Sequence, residues 1–422
     1  MNMNRNFLPK QYESTGKLEI NHNYLLQQFA DRDEILAKIK DVVTSGEFTL
    51  GREVDRLEDE FAAIIGARHA IGVGSGTDAL FLSLKALGID RGDEVITTPY
   101  TFFATIGAIV AAGAKPVFAD IRDDYNIDPA RVEASVTDRT KAILPVHWSG
   151  KPCDMDPILK TANRHGLAVV EDACHAVKAR YRGRGAGVLG TLGCFSFHPL
   201  KNLNVWGDGG IITTDSDDLA GRLRLLRNHG LLNRDECGAF GYNSRLDTVQ
   251  AVVARHLLPK LEHITERRIA NAAYFDERLR AISQIRVPKR ESWVKQVYHL
   301  YIVRCERRDE LQQFLVAGTL ARVVGVEKQK RGTYVLLLTG VARVRLDSIA
   351  SSAPFLEAIV TPLPVPTAEQ DTELVALAMS LREAVVSLVD TVPGFPRDAV
   401  ARCAAHDWRV DSTNASPLFV IW

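Results

Sequence analysis

Apolar residues recur at helical spacing over Asp31 to Val43 and again over Glu53 to Ile65. The period then changes. His69 to Val73 is a short apolar run that enters the glycine-rich turn Gly74-Ser75-Gly76-Thr77, and Asp78 to Leu87 resumes helical spacing. From there strand-like runs alternate with helical ones: Glu94 to Thr98 with Phe103 to Ala112, Lys115 to Ala119 with Pro129 to Val136, and Ala142 to His147 with Pro157 to His165. Leu167 to Glu171 is a further apolar run ending in acid. This alternation predicts an α/β fold, a mostly parallel sheet with helices on both faces. Ligands on such sheets collect at the carboxyl ends of strands, where the polar residues discussed below mainly fall. Cys194 to His198 and Gly210 to Thr214 read as two more strands joined by a long loop. Leu246 to about Ile282 reads as one helical connector leaving a large domain.

Past about Leu315 the pattern changes character. Thr319 to Val326, Thr333 to Leu338 and Ala342 to Leu346 are short β-like runs rich in valine and leucine. A proline-rich stretch, Pro362 to Pro366, and an amphipathic helical stretch, Glu369 to Val389, follow; Ala401 to Trp422 has no clear period. The expected division is an N-terminal arm over 1–24, a large domain over 25–255, a connector and start of a small domain over 256–315, and a distinct segment over 316–422.

The 422 residues are enough for two or three domains. Lysine plus arginine, at 52, equals aspartate plus glutamate, at 52, so no global field favours nucleic acid or an anionic membrane. Acidic ligands must therefore be held by local geometry. The six cysteines form no C-x-x-C pair, which excludes a zinc ribbon and argues against a disulfide framework. Met1 to Lys17 is polar, and no apolar run approaches the roughly 20 residues a membrane span needs. The expectation is a cytoplasmic protein without membrane or nucleic-acid partners.

Three segments carry candidate chemistry. Gly74-Ser75-Gly76-Thr77-Asp78 opens a helix with free backbone N–H groups, and the helix dipole adds positive potential there, which suits an anion. The same turn reads equally as structural punctuation. It resembles a dinucleotide fingerprint only imperfectly, because Gly72, Gly74 and Gly76 have the wrong spacing, and a nicotinamide reading loses ground because the next strand ends in Thr98-Pro99-Tyr100 with no acid to hold a ribose. Glu171-Asp172-Ala173-Cys174-His175 ends an apolar strand, placing Asp172 where it could hold the protonated ring nitrogen of pyridoxal 5'-phosphate (PLP) and keep that ring an electron sink. His175 would then reach the ring hydroxyl. An acid capping a helix is the alternative. Ser196-Phe197-His198-Pro199-Leu200-Lys201 places a lysine in a loop between apolar strands, where desolvation favours the neutral amine that Schiff-base chemistry requires. A merely solvated lysine is the alternative for Lys201, and Ser196 is a candidate phosphate donor.

The order of these three segments resembles the DegT-type sugar aminotransferases, PLP enzymes of fold type I, over about residues 23–315. Phe48-Thr49-Leu50-Gly51, Gly92-Asp93-Glu94-Val95, Thr101-Phe102-Phe103-Ala104-Thr105 and Gly241-Tyr242-Asn243-Ser244-Arg245 are similar to further family segments. The resemblance implies that Lys201 is the Schiff-base lysine and moves the proton between the amino-acid carbon and the cofactor carbon. It implies Asp172 at the pyridine nitrogen, His175 at the ring hydroxyl, Phe102 on the pyridine face, and Gly76, Thr77 and Ser196 at the phosphate. Asn243, with Arg245, would reach the phosphate of a neighbouring subunit's cofactor, which makes the expected assembly a homodimer with shared active sites. The implied reaction transfers an amino group from an amino acid such as glutamate to a nucleotide-linked keto sugar. Family dehydratases carry histidine in place of the lysine, so Lys201 favours transamination. A cyclic keto-inositol acceptor fits the same motifs. So does a binding protein that keeps the PLP fold with impaired catalysis. His147-Trp148 stands at a strand end, open to either substrate contact or packing.

After Tyr298-His299-Leu300-Tyr301, expected as a strand, the usual continuation of the family is not recognisable. About residues 316–389 instead resemble part of the N-terminal substrate-recognition domain of Lon proteases, carried by Gly318 to Val324 and Gly332 to Val344. A natural fusion, a recombined gene and a chance likeness of hairpin text all account for this.

Overall fold

The computed structural model describes residues 25–305 and, as backbone, strands at 319–328, 334–351 and 357–362. The described residues begin with α1 (Leu25–Gln28), α2 (Arg32–Ser45), α3 (Arg52–Ile65), β1 (His69–Val73) and α4 (Gly76–Ala86). Next come β2 (Glu94–Thr97), α5 (Phe103–Ala111), β3 (Lys115–Phe118), α6 (Pro129–Ala134), β4 (Thr140–Leu144), α7 (Met155–His165) and β5 (Ala168–Asp172). Two-residue strands β6 (Arg180–Tyr181) and β7 (Arg184–Gly185) precede β8 (Leu192–Ser196), β9 (Gly210–Thr214) and α8 (Asp217–Leu226). Helices α9 (Thr248–Leu257) and α10 (Leu261–Leu279) then lead to short strands β10 (Ile285–Arg286), β11 (Val294–Lys295) and β12 (Arg304–Cys305).

The central sheet has seven strands in the order β1-β9-β8-β5-β4-β2-β3. The pairs β2–β3, β2–β4, β4–β5 and β5–β8 are parallel, whereas β9 runs antiparallel to both β8 and β1. Register brings Ser196 and Val73 to opposite sides of the same residue, Gly210, so the carboxyl ends of β1 and β8 meet at one edge. Asp172 pairs with Cys194 one strand further on.

Side-chain alternation on these strands decides which core each residue enters. Phe195 and Phe197 pack edge-on against Phe61 of α3, at 5.1 and 5.8 Å. Helix α3 presents Val54, Leu57, Phe61 and Ile65 to that core at helical spacing. Cys194 points the other way, into a core with Val170, Ala79 and Leu80. Ser196, two residues on, shares that second face with Asp172, whereas Glu171 shares its face with Val169. Alternation thereby sends two adjacent carboxylates to opposite sides of the sheet.

Several sequence expectations are modified. The single helical stretch from Leu246 is divided by a 3₁₀ turn at Leu258–Lys260 that contains Pro259, since proline interrupts the helical hydrogen-bond ladder. Helix α8 was not anticipated; Ser216 caps it, its Oγ accepting from the Leu219 N–H. Tyr298 to Tyr301 is not a strand but a bent segment. Its Leu300 N–H bonds to Ser149 O at 3.4 Å, outside any ladder.

The chain divides into two compact units, Met1–Glu306 and Arg307–Trp422. In the second unit β13 (Thr319–Lys328), β14 (Tyr334–Ser351) and β15 (Glu357–Pro362) form a three-stranded antiparallel sheet. The runs read separately as Thr333 to Leu338 and Ala342 to Leu346 thus fall, from Tyr334 on, within one long strand, irregular in register on both sides. The helix expected over Glu369 to Val389 and the N-terminal arm lie outside the described residues.

Candidate active site

The glycine turn is built as an anion cradle. Ser75 caps α4, its Oγ accepting from the Asp78 N–H at 3.0 Å. Gly76 and Thr77 open the helix, where N–H groups have no intrahelical acceptor. Thr77 is exposed and Gly76 buried. A Cβ on Gly76 would lie 2.6 Å from Ser196 Cβ and 3.1 Å from Cys174 Sγ, so only glycine lets the turn approach β8 this closely. Ser196 Oγ accepts from the His198 N–H at 3.2 Å, which leaves its own O–H to donate.

Asp172 is buried at 5% exposure. Its Oδ2 accepts from Thr105 Oγ1 at 2.8 Å and its Oδ1 from the Cys174 N–H at 3.2 Å. A carboxylate has acceptor capacity for more than two such bonds. Thr105, which the sequence did not flag, is fixed in turn by Thr101 Oγ1 at 2.7 Å. It lies one helical turn after Phe102, whose 64% exposed ring immediately precedes α5.

Lys201 follows a turn closed by its N–H on His198 O, 2.8 Å. Burial lowers the pKa of its amine, while the nearby Cys174 thiol and Asp172 carboxylate pull in the opposite direction. Burial also pushes His175 well below the usual histidine range, with help from the Lys201 charge and His299. His299 is pushed down to about 3, first by burial and then by Lys201, Arg268 and His198. The two imidazoles pack with centroids 4.2 Å apart, and each leaves a buried Nδ1 without a partner among the described residues. His299 went unnoticed because its segment reads as a strand.

Other strand-end residues are structural. His147 Nε2 meets Glu171 Oε2 at 2.8 Å with both side chains fully buried, and His147 Nδ1 accepts from the Cys153 N–H. Glu171 also accepts from the N–H groups of Gly187, Leu189 and Gly190 at 2.7–2.8 Å. It therefore ties the loop before β8 to β5 and takes no part in the site on the opposite face. Asn243 is exposed and bridges to Asn228. Its neighbour Ser244 accepts from the Gly74 N–H at 3.4 Å, and Arg245 Nη1 donates to Asn228 Oδ1 at 3.1 Å. Among the described residues this segment thus borders the glycine turn of its own chain.

The donor set fits PLP. A glycine that leaves no room for a Cβ faces a serine hydroxyl across a helix start, which suits a phosphate dianion. A buried carboxylate with spare acceptor capacity suits a protonated ring nitrogen, and the orphaned His175 Nδ1 suits the ring hydroxyl.

The fold is that of the type I PLP transferases. The crystal structure of S. venezuelae DesV in complex with a ketimine intermediate matches with a TM-score of 0.70 at 44% identity, over 71% of this chain and 82% of that one. The profile of the DegT/DnrJ/EryC1/StrS aminotransferase family covers residues 30–327, and the chain belongs to that family of PLP-dependent sugar aminotransferases. The dTDP-3-amino-3,4,6-trideoxy-alpha-D-glucose transaminase of Streptomyces venezuelae is 46% identical over 68% of this chain and 76% of its own length. The UDP-N-acetyl-3-dehydro-alpha-D-glucosamine 3-aminotransferase of Acidithiobacillus ferrooxidans is 42% identical over 69% and 79%. Residues 278–403 are also similar to the substrate-binding domain of ATP-dependent protease La (LON), so the two profiles overlap over 278–327. No helix among the described residues is long and apolar enough to cross a membrane.

Proposed function

We propose that this enzyme binds PLP through Lys201 and moves an amino group from an amino acid, glutamate in the first instance, to a keto sugar carried on a nucleotide. The observation that carries the reading is a partly desolvated amine, Lys201, in electrostatic reach of the buried Asp172 carboxylate. The names of the relatives support the nucleotide-linked acceptor.

In this reading the N–H groups of Gly76 and Thr77 and the Ser196 hydroxyl hold the phosphate. Asp172, oriented by Thr105, holds the proton on the ring nitrogen. His175 meets the ring hydroxyl and Phe102 covers one ring face. PLP, when bound, supplies an electron-poor ring that takes up the charge left when a Cα proton departs. Lys201 Nζ, freed when the amine of the amino acid takes its place, would accept that proton and give it back, a task for which a lowered amine pKa suits it. Asn243 serves a partner subunit's phosphate in a homodimer with shared sites. Phe103 and Val110, 87% and 59% exposed on one face of α5, and Phe240, 99% exposed, support a partner surface of that kind.

Protein supplied with PLP should show a yellow absorbance that borohydride removes, leaving a covalent adduct on Lys201. Lys201→Ala should give no adduct. Asp172→Asn should hold the cofactor roughly ten- to a hundredfold more weakly, the loss expected for one hydrogen bond to a charged group. Wild-type protein that takes up no colour refutes the reading. Colour without amino transfer from glutamate to any dTDP- or UDP-linked keto sugar refutes its substrate half.

A further inference from the structure

Three rings pack in sequence, and two of them, His175 and His299, lie in electrostatic reach of Lys201. Trp148 lies 5.1 Å from His175 between centroids, and His175 lies 4.2 Å from His299. Trp148 Nε1, His175 Nδ1 and His299 Nδ1 are all buried and unpartnered among the described residues. Buried polar atoms in native proteins nearly always find a partner, so three orphans in one wall call for a polar occupant. His175 has one in the cofactor hydroxyl; the two outer rings have none.

Their segments are clamped together. The Trp148 N–H bonds to Asn126 Oδ1 at 3.0 Å. Val297 N–H reaches Gly150 O at 3.0 Å, and Leu300 N–H reaches Ser149 O. Gly150 has φ +88°, and a Cβ there would meet His175 O at 2.9 Å and His299 N at 3.1 Å. Arg268 Nη1 donates to Tyr298 O at 2.9 Å and His299 O at 3.4 Å. Such fixing on both sides is what a recognition surface needs.

The chemistry of the wall selects its occupant. Indole N–H only donates, so Trp148 requires an acceptor oxygen. A neutral imidazole offers one donor and one acceptor, so His299 can take a hydroxyl in either sense. Beyond Trp148 the wall continues into Tyr100, edge-on at 5.0 Å, which stacks on Tyr125 at 5.3 Å. Uncharged donors and acceptors on an aromatic face suit a polyhydroxylated ring better than a carboxylate, which would seek a cation.

We propose that Trp148 and His299 form the sugar-recognition edge of the active site, binding hydroxyl or carbonyl oxygens of the keto sugar on either side of His175. This rests on the aminotransferase reading and deepens it. The test measures binding of UDP-N-acetylglucosamine and dTDP-glucose, with UDP and dTDP as references, to the PLP-loaded protein by calorimetry. Wild type should bind at least one sugar-linked nucleotide more tightly than the bare nucleotide. Trp148→Phe and His299→Phe keep the flat rings and remove the nitrogens. Each should weaken the sugar-linked ligand by about tenfold and leave the bare nucleotide unchanged. Retained cofactor absorbance in both variants shows that they fold. The inference is overturned if wild type shows no sugar increment with either pair, if the increment survives in both variants, or if bare nucleotide affinity falls equally. Wild-type protein without cofactor absorbance sinks the aminotransferase reading instead; the sugar increment, measured on that same protein, still decides this inference.

Discussion

His175 and His299 are held neutral because burial and the Lys201 charge oppose protonation. In the unfolded chain the same imidazoles titrate near 6.5. Below that pH the unfolded state takes up protons that the folded state refuses, so stability is full above about pH 6.5 and declines as the pH falls towards the folded value. For His299 the decline continues down to about 3. The slope is at most about 1.4 kcal/mol per pH unit for each histidine. Urea melts of wild type should therefore shift to lower midpoints between pH 7 and pH 5, and His299→Phe should show a visibly shallower shift. Parallel pH profiles for the two proteins would mean that His299 is not excluded from protonation in the fold.

At the scale of elements, the turn into α4 and the end of β8 are interdependent, because Gly76 packs against Ser196 with no room for a side chain of its own. Gly76→Ala sets a Cβ 2.6 Å from Ser196 Cβ. Overpacking of that kind costs about 1–3 kcal/mol and displaces a candidate phosphate donor. The expected outcome is a lower thermal midpoint together with faster loss of cofactor on dialysis. Gly221→Ala on α8 is the matched control: a Cβ there meets nothing within 4 Å, and alanine in place of helical glycine should stabilise by roughly 0.5–1 kcal/mol. Equal cofactor retention in both variants would remove the turn from the phosphate site. Much of this site was legible because its residues sit in local patterns: a glycine turn, a strand-end acid, a loop lysine between apolar runs. Period-two alternation even predicts that Glu171 and Asp172 part ways. What was not legible depends on distant pairing. Thr105 matters through a carboxylate 67 residues away, and His299 through rings brought to it by Gly150 and Asn126. Helix α8 was missed because its signals are weak, two acids and a serine cap before a mixed run.

For the whole molecule, every residue placed at the site lies between Gly76 and His299, within the unit Met1–Glu306. The cradle rests on α4 and β8, the carboxylate on β5 and α5, and the imidazole pair on the loop after β5 and the bend after β11. The cores that hold these strands draw on residues from Phe29 to Val297. The family profile nevertheless runs to residue 327, into text that is also LON-like from 278 onward. Cofactor uptake and acceptor turnover are therefore expected to separate when the second unit is removed. A chain ending at Glu306 keeps all groups proposed to contact PLP, so it should take up the cofactor and give the borohydride adduct on Lys201 as the full chain does. If the full chain colours and the shortened one remains soluble, monodisperse and colourless, residues beyond 306 supply part of the cofactor site or of the fold that holds it. If both colour and only the full chain transfers the amino group to a nucleotide-linked keto sugar, the second unit acts on the acceptor step alone.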